Sequence, residues 1–212
     1  MKFLRSKLLL GDTFTKLEDA NILLLGVGGV GSYCLDCLIR TGVNQVTIVD
    51  YDTYDESNQN RQLWSELHLD EIKVDAISSH YENVIAINQK IDEEWVETFD
   101  FEPYDLVLDA IDDTRAKIAL AIKCHKKLIS AVGSAKRLDP TKIEVATIWK
   151  THGDRFGAKL RYELKKRRFN KKYPVIFSSE QALIKEKGSF MGVTASFGLT
   201  MCSVAVKKLT GL

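Results

Sequence analysis

The sequence predicts an α/β protein with a Rossmann-like, mostly parallel sheet wrapped by helices and with antiparallel additions toward the C-terminus. Short apolar runs alternate with helical segments up to about residue 132, the pattern of parallel strands joined by crossover helices. A glycine-rich turn follows the first of these runs. Beyond residue 132 the pattern changes, and segment 143–149 alternates apolar and polar residues like a half-buried strand.

Length and composition predict a single domain over residues 1–212. The chain has 212 residues, of which 45% are hydrophobic, enough for one substantial core. Its net charge of +1 excludes a global attraction to nucleic acid, so any such site must be a local patch. With no recognisable signal peptide, the four cysteines are expected to be reduced in a cytoplasmic protein.

The uncharged run 190–206 has a length close to that of a membrane span. It is rich in Gly, Ser, Thr and Ala rather than in Leu and Ile. We therefore predict a helix buried in the core or at a subunit interface, and no membrane span.

The first 50 residues predict the front half of a nucleotide-binding unit. Segment 2–19 is an amphipathic leader, and Asn21–Leu25 is a buried strand. A G-x-G-x-x-G turn follows, then a helix over 30–39 and a second strand over 45–49 that ends at Asp50, in position to bind a ribose hydroxyl. The turn glycines are Gly26, Gly28, Gly29 and Gly31. The alternative is a tight strand-to-helix turn that binds no ligand.

The segments after Asp50 continue the alternation of strands and helices. Residues 51–68 predict a functional loop, 70–86 a helix with Lys73 in its first turn, and 87–91 a short strand. The remaining strands are predicted at 104–110 and 128–132, with a helix between them that ends near residue 126.

The polar residues at the carboxyl ends of these strands favour ATP over a dinucleotide. Arg61 and Lys73 supply two cations for a polyphosphate, and Asn58 and Gln62 flank Arg61. Asp112 supplies a carboxylate for Mg²⁺. With no nucleophile paired to a base, the simplest reaction is attack of a substrate carboxylate on the α-phosphate, which gives an acyl-adenylate and pyrophosphate.

Each of these residues also has a purely structural interpretation. Asp50 caps the following turn, Lys73 lies on a helix surface, and Asp112 caps the next helix. Arg61 pairs with one of two nearby acids, Asp55 or Glu56.

Segment 159–172 carries eight Lys or Arg residues against one acid. It is either a solvated helix face or a phosphate-binding patch, with Tyr162 and Phe169 available to stack on bases. The candidate RNA-binding residues are Lys159, Arg161, Lys165, Lys166, Arg167 and Arg168.

In this order, the motifs resemble those of the E1-like adenylating family, the ubiquitin-activating superfamily and its bacterial ThiF and MoeB relatives. The matching patterns are G-x-G-G-x-G, D-x-D at Asp50 and Asp52, S-N-x-x-R-Q, a following Lys, and D-x-x-D at the end of a strand. The resemblance implies that Arg5 reaches the ATP of a partner subunit in a homodimer. Lys2 replaces the arginine usual in that leading motif.

Segments 109–117, 139–141, 158–161 and 177–183 further resemble the family's tRNA threonylcarbamoyladenosine dehydratase branch. That resemblance implies ATP-dependent activation of the carboxylate of N6-threonylcarbamoyladenosine in tRNA, followed by cyclisation. The basic run would then hold tRNA phosphates. Segment 183–188 is shorter than in that branch, and Pro174-Val175-Ile176 stands where the branch has a cysteine.

Three alternatives stay open. The first is adenylation of a ubiquitin-like sulfur carrier, with that carrier or a cysteine desulfurase as partner. Zinc-binding members of that class use four thiolates, whereas this chain has a single C-x-x-C (Cys34 and Cys37), so we predict no zinc. The others are an NAD(P)-dependent oxidoreductase and a binding module that keeps the nucleotide site without chemistry.

Overall fold

The fold is a seven-stranded sheet in the order β3-β2-β1-β4-β5-β7-β6, in which every neighbouring pair is parallel except β6 with β7. The computed structural model describes residues 2–186 and 188–212. It confirms the predicted fold class. The strands are β1 (Asn21–Leu25), β2 (Gln45–Asp50), β3 (Val84–Asn88), β4 (Leu106–Asp109), β5 (Leu128–Ala131), β6 (Ile143–Thr147) and β7 (Pro174–Ser178).

Helices cover both faces of this sheet. They are α1 (Leu4–Leu10), α2 (Thr15–Glu18), α3 (Gly31–Thr41), α4 (Lys73–Ser78), α5 (Glu93–Thr98), α6 (Thr114–Cys124), α7 (Arg155–Lys166) and α8 (Met191–Thr210). Successive residues of β1 point to opposite faces: Leu24 packs with α3, α4 and α8, and Leu23 with α5, α6 and α7. Two cores on either side of one sheet result, which is why the central strands are apolar throughout.

The predicted helix over 70–86 is wrong in its second half. Helix α4 ends at Ser78, and Val84–Asn88 instead forms β3, which pairs in parallel with β2 from Val46↔Val84 onward. The predicted strand at 87–91 therefore begins three residues too late. Apolar residues at 84 and 85 fit a helical period and a short strand equally well, and pairing with β2 decides between them.

Apart from Phe190, which precedes the helix, the 190–206 run lies within α8, whose buried residues face α3 and β5. Of the helices in the described part of the chain, none combines the length and the apolar character that crossing a bilayer requires.

Candidate nucleotide site

A cavity of about 1560 Å³ opens at the carboxyl-terminal edge of the sheet. The segments that follow β1, β2, β3, β4 and β5 line it, together with residues just before and within the start of α8. In open parallel sheets, ligands bind at this edge, where the strand order reverses on either side of β1.

The turn after β1 has the close backbone approach that its glycines predict. Gly26 has φ +85°, and a Cβ at Gly31 would lie 1.9 Å from the carbonyl oxygen of Gly26, so Gly31 must lack a side chain. A Cβ at Gly28 would meet nothing closer than 3.8 Å, which leaves that backbone open to the cavity.

Asp50 ties this turn to the end of β2. Its carboxylate accepts hydrogen bonds from the backbone N–H of Val27 at 2.8 Å and of Asp52 at 3.0 Å. The turn-capping interpretation is therefore correct, and Asp50 also lines the cavity. Both roles are compatible because a carboxylate has about four acceptor positions.

The loop after β2 is shaped by a cap at Asp55. Its carboxylate accepts from the Ser57 N–H at 2.7 Å, and the hydrogen bonds from Ser57 hold the pKa of Asp55 below its usual value. Asn58 and Gln62 are buried under the cavity floor. Within the described residues the Gln62 Oε1 atom has no hydrogen-bond partner, so this side chain has an acceptor to spare next to the cavity.

Arg61 does not pair with Asp55 or Glu56, so that structural interpretation is wrong. Its guanidinium donates to the Ser57 carbonyl oxygen at 2.6 Å and to Asn60 Oδ1 at 2.9 Å. Arg61 lines the cavity with its positive charge uncompensated by these neutral acceptors.

Lys73 is a buried residue of the site rather than a surface helix residue. It is 5% exposed and donates to Asp52 Oδ2 at 2.9 Å, while the Asp52 side chain is 48% exposed. The pair brings the two family-matched residues together at the cavity wall.

Asp112 lies on the cavity, exposed, and the helix cap is its neighbour Asp113, which accepts from the Ala116 N–H at 2.7 Å. The helix-cap interpretation of Asp112 is therefore wrong. The segment is anchored by buried Asp109, which accepts from Lys117 Nζ at 2.8 Å, Ser130 Oγ at 2.6 Å and the Ile111 N–H at 3.2 Å.

Several cavity residues carried no sequence signal. Asn60 continues the loop of Arg61, but Ser134, Lys136, Ser189 and Thr194 come from segments far along the chain. Only the fold brings these residues to the cavity.

Arg5 lies exposed on α1 and does not line the cavity of its own chain. In the leader, Phe14 and Leu17 are buried, whereas Leu8 and Leu9 are 77% and 81% exposed and do not pack against the core of their own chain. Helix α1 therefore presents an apolar, basic surface to the outside.

The basic run occupies α7 and the segment after it. Lys159, Lys165 and Arg168 are exposed without an ion pair among the described residues, whereas Lys166 and Arg167 pair with Glu163 at 3.6 and 2.9 Å. Arg161 donates to Thr151 Oγ1.

Helix α7 also leads away from the cavity. Asp154 caps its first turn, and the carboxylate of Asp154 contacts Arg137 next to the cavity wall. Just after the helix, the Phe169 ring lies 5.6 Å from that of His125, at the C-terminal end of α6, while Arg115 at the other end of α6 lines the cavity. The C-terminal end of the run therefore lies away from the cavity.

The C-x-x-C pair lies on α3, with Cys34 buried and Cys37 half-buried. Burial raises the pKa of the Cys34 thiol well above its usual value. Within the described ranges, no three His, Cys, Asp or Glu side chains form a group suited to a metal ion. The absence of zinc stays a prediction.

Comparison with known sequences finds one matching family and similar proteins of known activity. The sequence profile of the ThiF family matches residues 4–212. The chain is 36% identical over 194 residues to the tRNA threonylcarbamoyladenosine dehydratase of Bacillus subtilis (strain 168), an alignment that covers 86% of this chain and 76% of that protein. It is 32% identical over 136 residues to the molybdopterin-synthase adenylyltransferase of Haemophilus influenzae, covering 58% of this chain and 54% of that protein.

Among solved structures, the fold is similar to that of the E. coli tRNA N6-threonylcarbamoyladenosine dehydratase in complex with ATP. The TM-score is 0.93 at 29% sequence identity, over 99% of this chain and 94% of that chain.

Proposed function

Because this chain belongs to the ThiF family, we propose that it is an ATP-dependent adenylating enzyme that acts on the carboxylate of N6-threonylcarbamoyladenosine in tRNA. The observation that carries the proposal is the convergence of the glycine turn, Arg61, Lys73 and Asp112 on one cavity. The names of the Bacillus subtilis and E. coli relatives support the choice of substrate.

The residues of the cavity supply the contacts that the first half of the reaction, adenylation, needs. The glycine turn and the start of α3 hold the phosphates, and Asp50 and Asp52 hold the ribose side. The substrate carboxylate attacks the α-phosphorus, the bond to the β-phosphate oxygen breaks, and pyrophosphate leaves. A nucleophilic group of the substrate's own threonylcarbamoyl side chain then attacks the activated carbonyl carbon of that side chain, and AMP leaves as the ring closes.

Arg61 and Lys73 stabilise the negative charge that develops on the α-phosphate, and neither needs to move a proton to do so. Asp112 is the carboxylate that would hold Mg²⁺, which supplies charge neutralisation at the phosphates when bound. Its exposed position on the cavity, free of the cap that Asp113 forms, fits that role.

The remaining proposals concern assembly and location. We propose one domain over residues 1–212, a homodimer in which Arg5 reaches the partner's site, and a cytoplasmic protein. The exposed Leu8 and Leu9 beside Arg5 support an interface at α1. We also propose that residues of the 159–172 run bind tRNA phosphates.

The experiment that tests the function starts from bulk tRNA of a strain that lacks this protein. Incubation with the pure protein and ATP, followed by nucleoside mass spectrometry, should convert the open modified adenosine to its cyclic form with loss of one water. The Asp112→Asn variant, which keeps shape but not charge, is the matched control and should leave the tRNA unconverted. Full release of pyrophosphate without any change in the tRNA would contradict the choice of substrate.

A second candidate is adenylation of the C-terminus of a ubiquitin-like sulfur carrier, which the similarity to a molybdopterin-synthase adenylyltransferase favours. A carrier protein or a cysteine desulfurase would then be the partner. Exchange of labelled pyrophosphate into ATP that depends on an added carrier, but not on tRNA, would support this alternative.

A further inference from the structure

The cavity has room for more than a nucleotide. Its volume of about 1560 Å³ exceeds the roughly 300–1,000 Å³ of common small-molecule sites. The wall beyond the glycine turn is built from residues 134–136, in the segment after β5, and from residues 188–189 before α8. A second substrate that binds beside ATP would contact this wall.

A buried arginine holds the wall rigid. Arg137 is 5% exposed, and its guanidinium donates to the carbonyl oxygens of Ala135 and Glu180 and to Asp154 Oδ1, each at 2.9 Å. It also donates to the carbonyl oxygen of Gly133. With so many bonds to one side chain, the segment has little freedom to change its shape.

Lys136, next to this arginine, has a backbone conformation that a lysine rarely adopts. Its φ is +66°, in the left-handed region that glycine tolerates and other residues avoid. Two backbone hydrogen bonds of 2.9 Å keep it there, from its N–H to the Gly188 carbonyl oxygen and from the Leu183 N–H to its own carbonyl oxygen. A non-glycine residue under such strain often marks a functional position.

Lys136 also brings a free positive charge to this wall. It is the one charged side chain that the described residues after β5 and before α8 contribute to the cavity. Its Nζ donates to the carbonyl oxygen of Lys185, and none of the described carboxylates lies within ion-pair distance.

Most of the acids that line the cavity lie away from this wall. Of the nine acids in the lining, Asp112 and Asp113 follow β4, and the other seven lie at the end of β2 or after β2 and β3. These seven are Asp50, Asp52, Asp55, Glu56, Asp92, Glu93 and Glu94. Lys136 therefore stands on the less acidic side of the cavity, which favours the approach of RNA over the β5 side.

We propose that Lys136 binds a backbone phosphate of the RNA, next to the nucleoside that reacts. The inference rests on the proposed function, and it names an interaction that selects an RNA substrate rather than a catalytic group. β5 lies two strands from β1 in the sheet, so these two strands are about 10 Å apart at ~4.8 Å per strand. Lys136 lines the cavity from the β5 side, whereas the glycine turn that would hold the phosphates of ATP follows β1.

The test compares Lys136→Gly, Lys136→Gln and Lys136→Arg on an anticodon stem-loop that carries the modified adenosine. The Gly and Gln variants should raise the KM for the stem-loop about tenfold, as expected when a hydrogen bond to a charged group is removed. They should also reduce the salt slope of binding by about one. The Arg variant should keep both values, and the KM for ATP should not change.

The Lys136→Gly variant distinguishes a loss of RNA binding from a loss of protein stability. Glycine relieves the left-handed strain, so its melting temperature should equal or exceed that of the parent protein. Lys185→Gln, at an exposed neighbour that does not line the cavity, is the matched control and should behave like the parent. The free modified nucleoside, which has no phosphate, should show no change in KM.

Three results would overturn the inference. An unchanged KM and salt slope for Lys136→Gly, with normal conversion by the parent protein, would remove Lys136 from RNA binding and leave the proposed function intact. An equal rise in KM for the free nucleoside would place Lys136 on the nucleoside and not on a phosphate. If the parent protein converts no RNA at all, the proposed function fails, and the inference with it.

Discussion

Two buried lysines show how the same residue type serves the site in one place and the fold in another. Lys73 and Lys117 are 5% and 2% exposed, and each pairs with an aspartate. The partner of Lys73, Asp52, is half exposed at the cavity wall, whereas Asp109, the partner of Lys117, is fully buried beneath it. Removal of Lys73 therefore leaves the Asp52 carboxylate, which water can solvate, whereas removal of Lys117 leaves the Asp109 carboxylate, which water cannot reach.

This difference predicts opposite outcomes for Lys73→Met and Lys117→Met. Lys73→Met should leave the urea midpoint nearly unchanged and lower turnover about a hundredfold or more, because it removes the charge that we propose stabilises the α-phosphate. Lys117→Met should lower the free energy of unfolding by roughly 3–5 kcal/mol, because it leaves a buried carboxylate without a partner. Urea denaturation and steady-state kinetics on both variants test the pair. A stable Lys117→Met protein would contradict the role given to Asp109.

At the scale of elements, the turn between β1 and α3 contains one glycine that backbone packing requires and another whose backbone is open to the cavity. Gly31 packs its α-carbon against the carbonyl of Gly26, while Gly28 faces the open cavity. The G-x-G-x-x-G pattern treats both as one motif, but their surroundings differ.

We expect Gly31→Ala to destabilise the protein by at least about 1–3 kcal/mol, since its methyl group would overlap backbone atoms. Gly28→Ala should fold normally and bind ATP about tenfold more weakly, equal to ~1.4 kcal/mol, because the methyl group keeps the phosphate from the backbone N–H groups. Thermal melts and ATP titration calorimetry measure both effects. If Gly28→Ala bound ATP as the parent does, the phosphates would lie elsewhere.

Helix α7 is an element with two opposite faces. Leu160 and Leu164 are buried against the core, and the exposed side carries Arg155, Lys159 and Lys166. The ammonium of Lys166 lies 4.7 Å from the centre of the Tyr162 ring. These cations lie along α7, whose first turn is next to the cavity wall and whose last turn is away from it. A nucleic acid bound along the helix could therefore place its reacting base in the cavity.

Replacement of Lys165, Lys166, Arg167 and Arg168 by Gln should therefore weaken tRNA binding without affecting ATP binding. The salt slope should fall by about 0.9 for each phosphate that the variant no longer neutralises, and different tRNAs should bind more weakly to a similar degree. The matched control exchanges Lys and Arg at the same four positions, which keeps the charge. Normal tRNA conversion by the Gln variant at physiological salt would make the run a solvated helix face.

For the whole molecule, the exposed surface of α1 predicts that the site is completed by a second copy of the chain. Arg5 lies outside the cavity of its own chain, next to exposed Leu8 and Leu9. An apolar surface beside a cation is what an interface that places Arg5 in a partner's site requires.

Mixing Arg5→Ala chains with Asp112→Ala chains should restore part of the activity that each homodimer lacks, because one hybrid site has both residues intact. Mixing either variant with itself is the control. Sedimentation at the assay concentration checks assembly, and a monomer with full activity would contradict the arrangement.

The sequence by itself determined the central strands, the glycine turn and most of the residues that line the cavity around that turn. Local patterns are enough there, because short apolar runs make buried strands and a G-x-G-x-x-G turn between them has few other uses. Ion and hydrogen-bond partners needed the tertiary structure: Asp113 and not Asp112 caps α6, and Arg61 bonds to a carbonyl and an amide rather than to an acid.

Only the tertiary structure decided which distant segments close the site. The boundary between α4 and β3 depends on pairing with β2, and the wall formed by Lys136 depends on bonds to Leu183 and Gly188 about fifty residues away. No local period encodes such interactions, because strand order and loop packing set them, and these arise when the whole sheet assembles. The residues proposed to act on ATP were therefore readable from the chain, whereas the wall proposed to meet the second substrate was not.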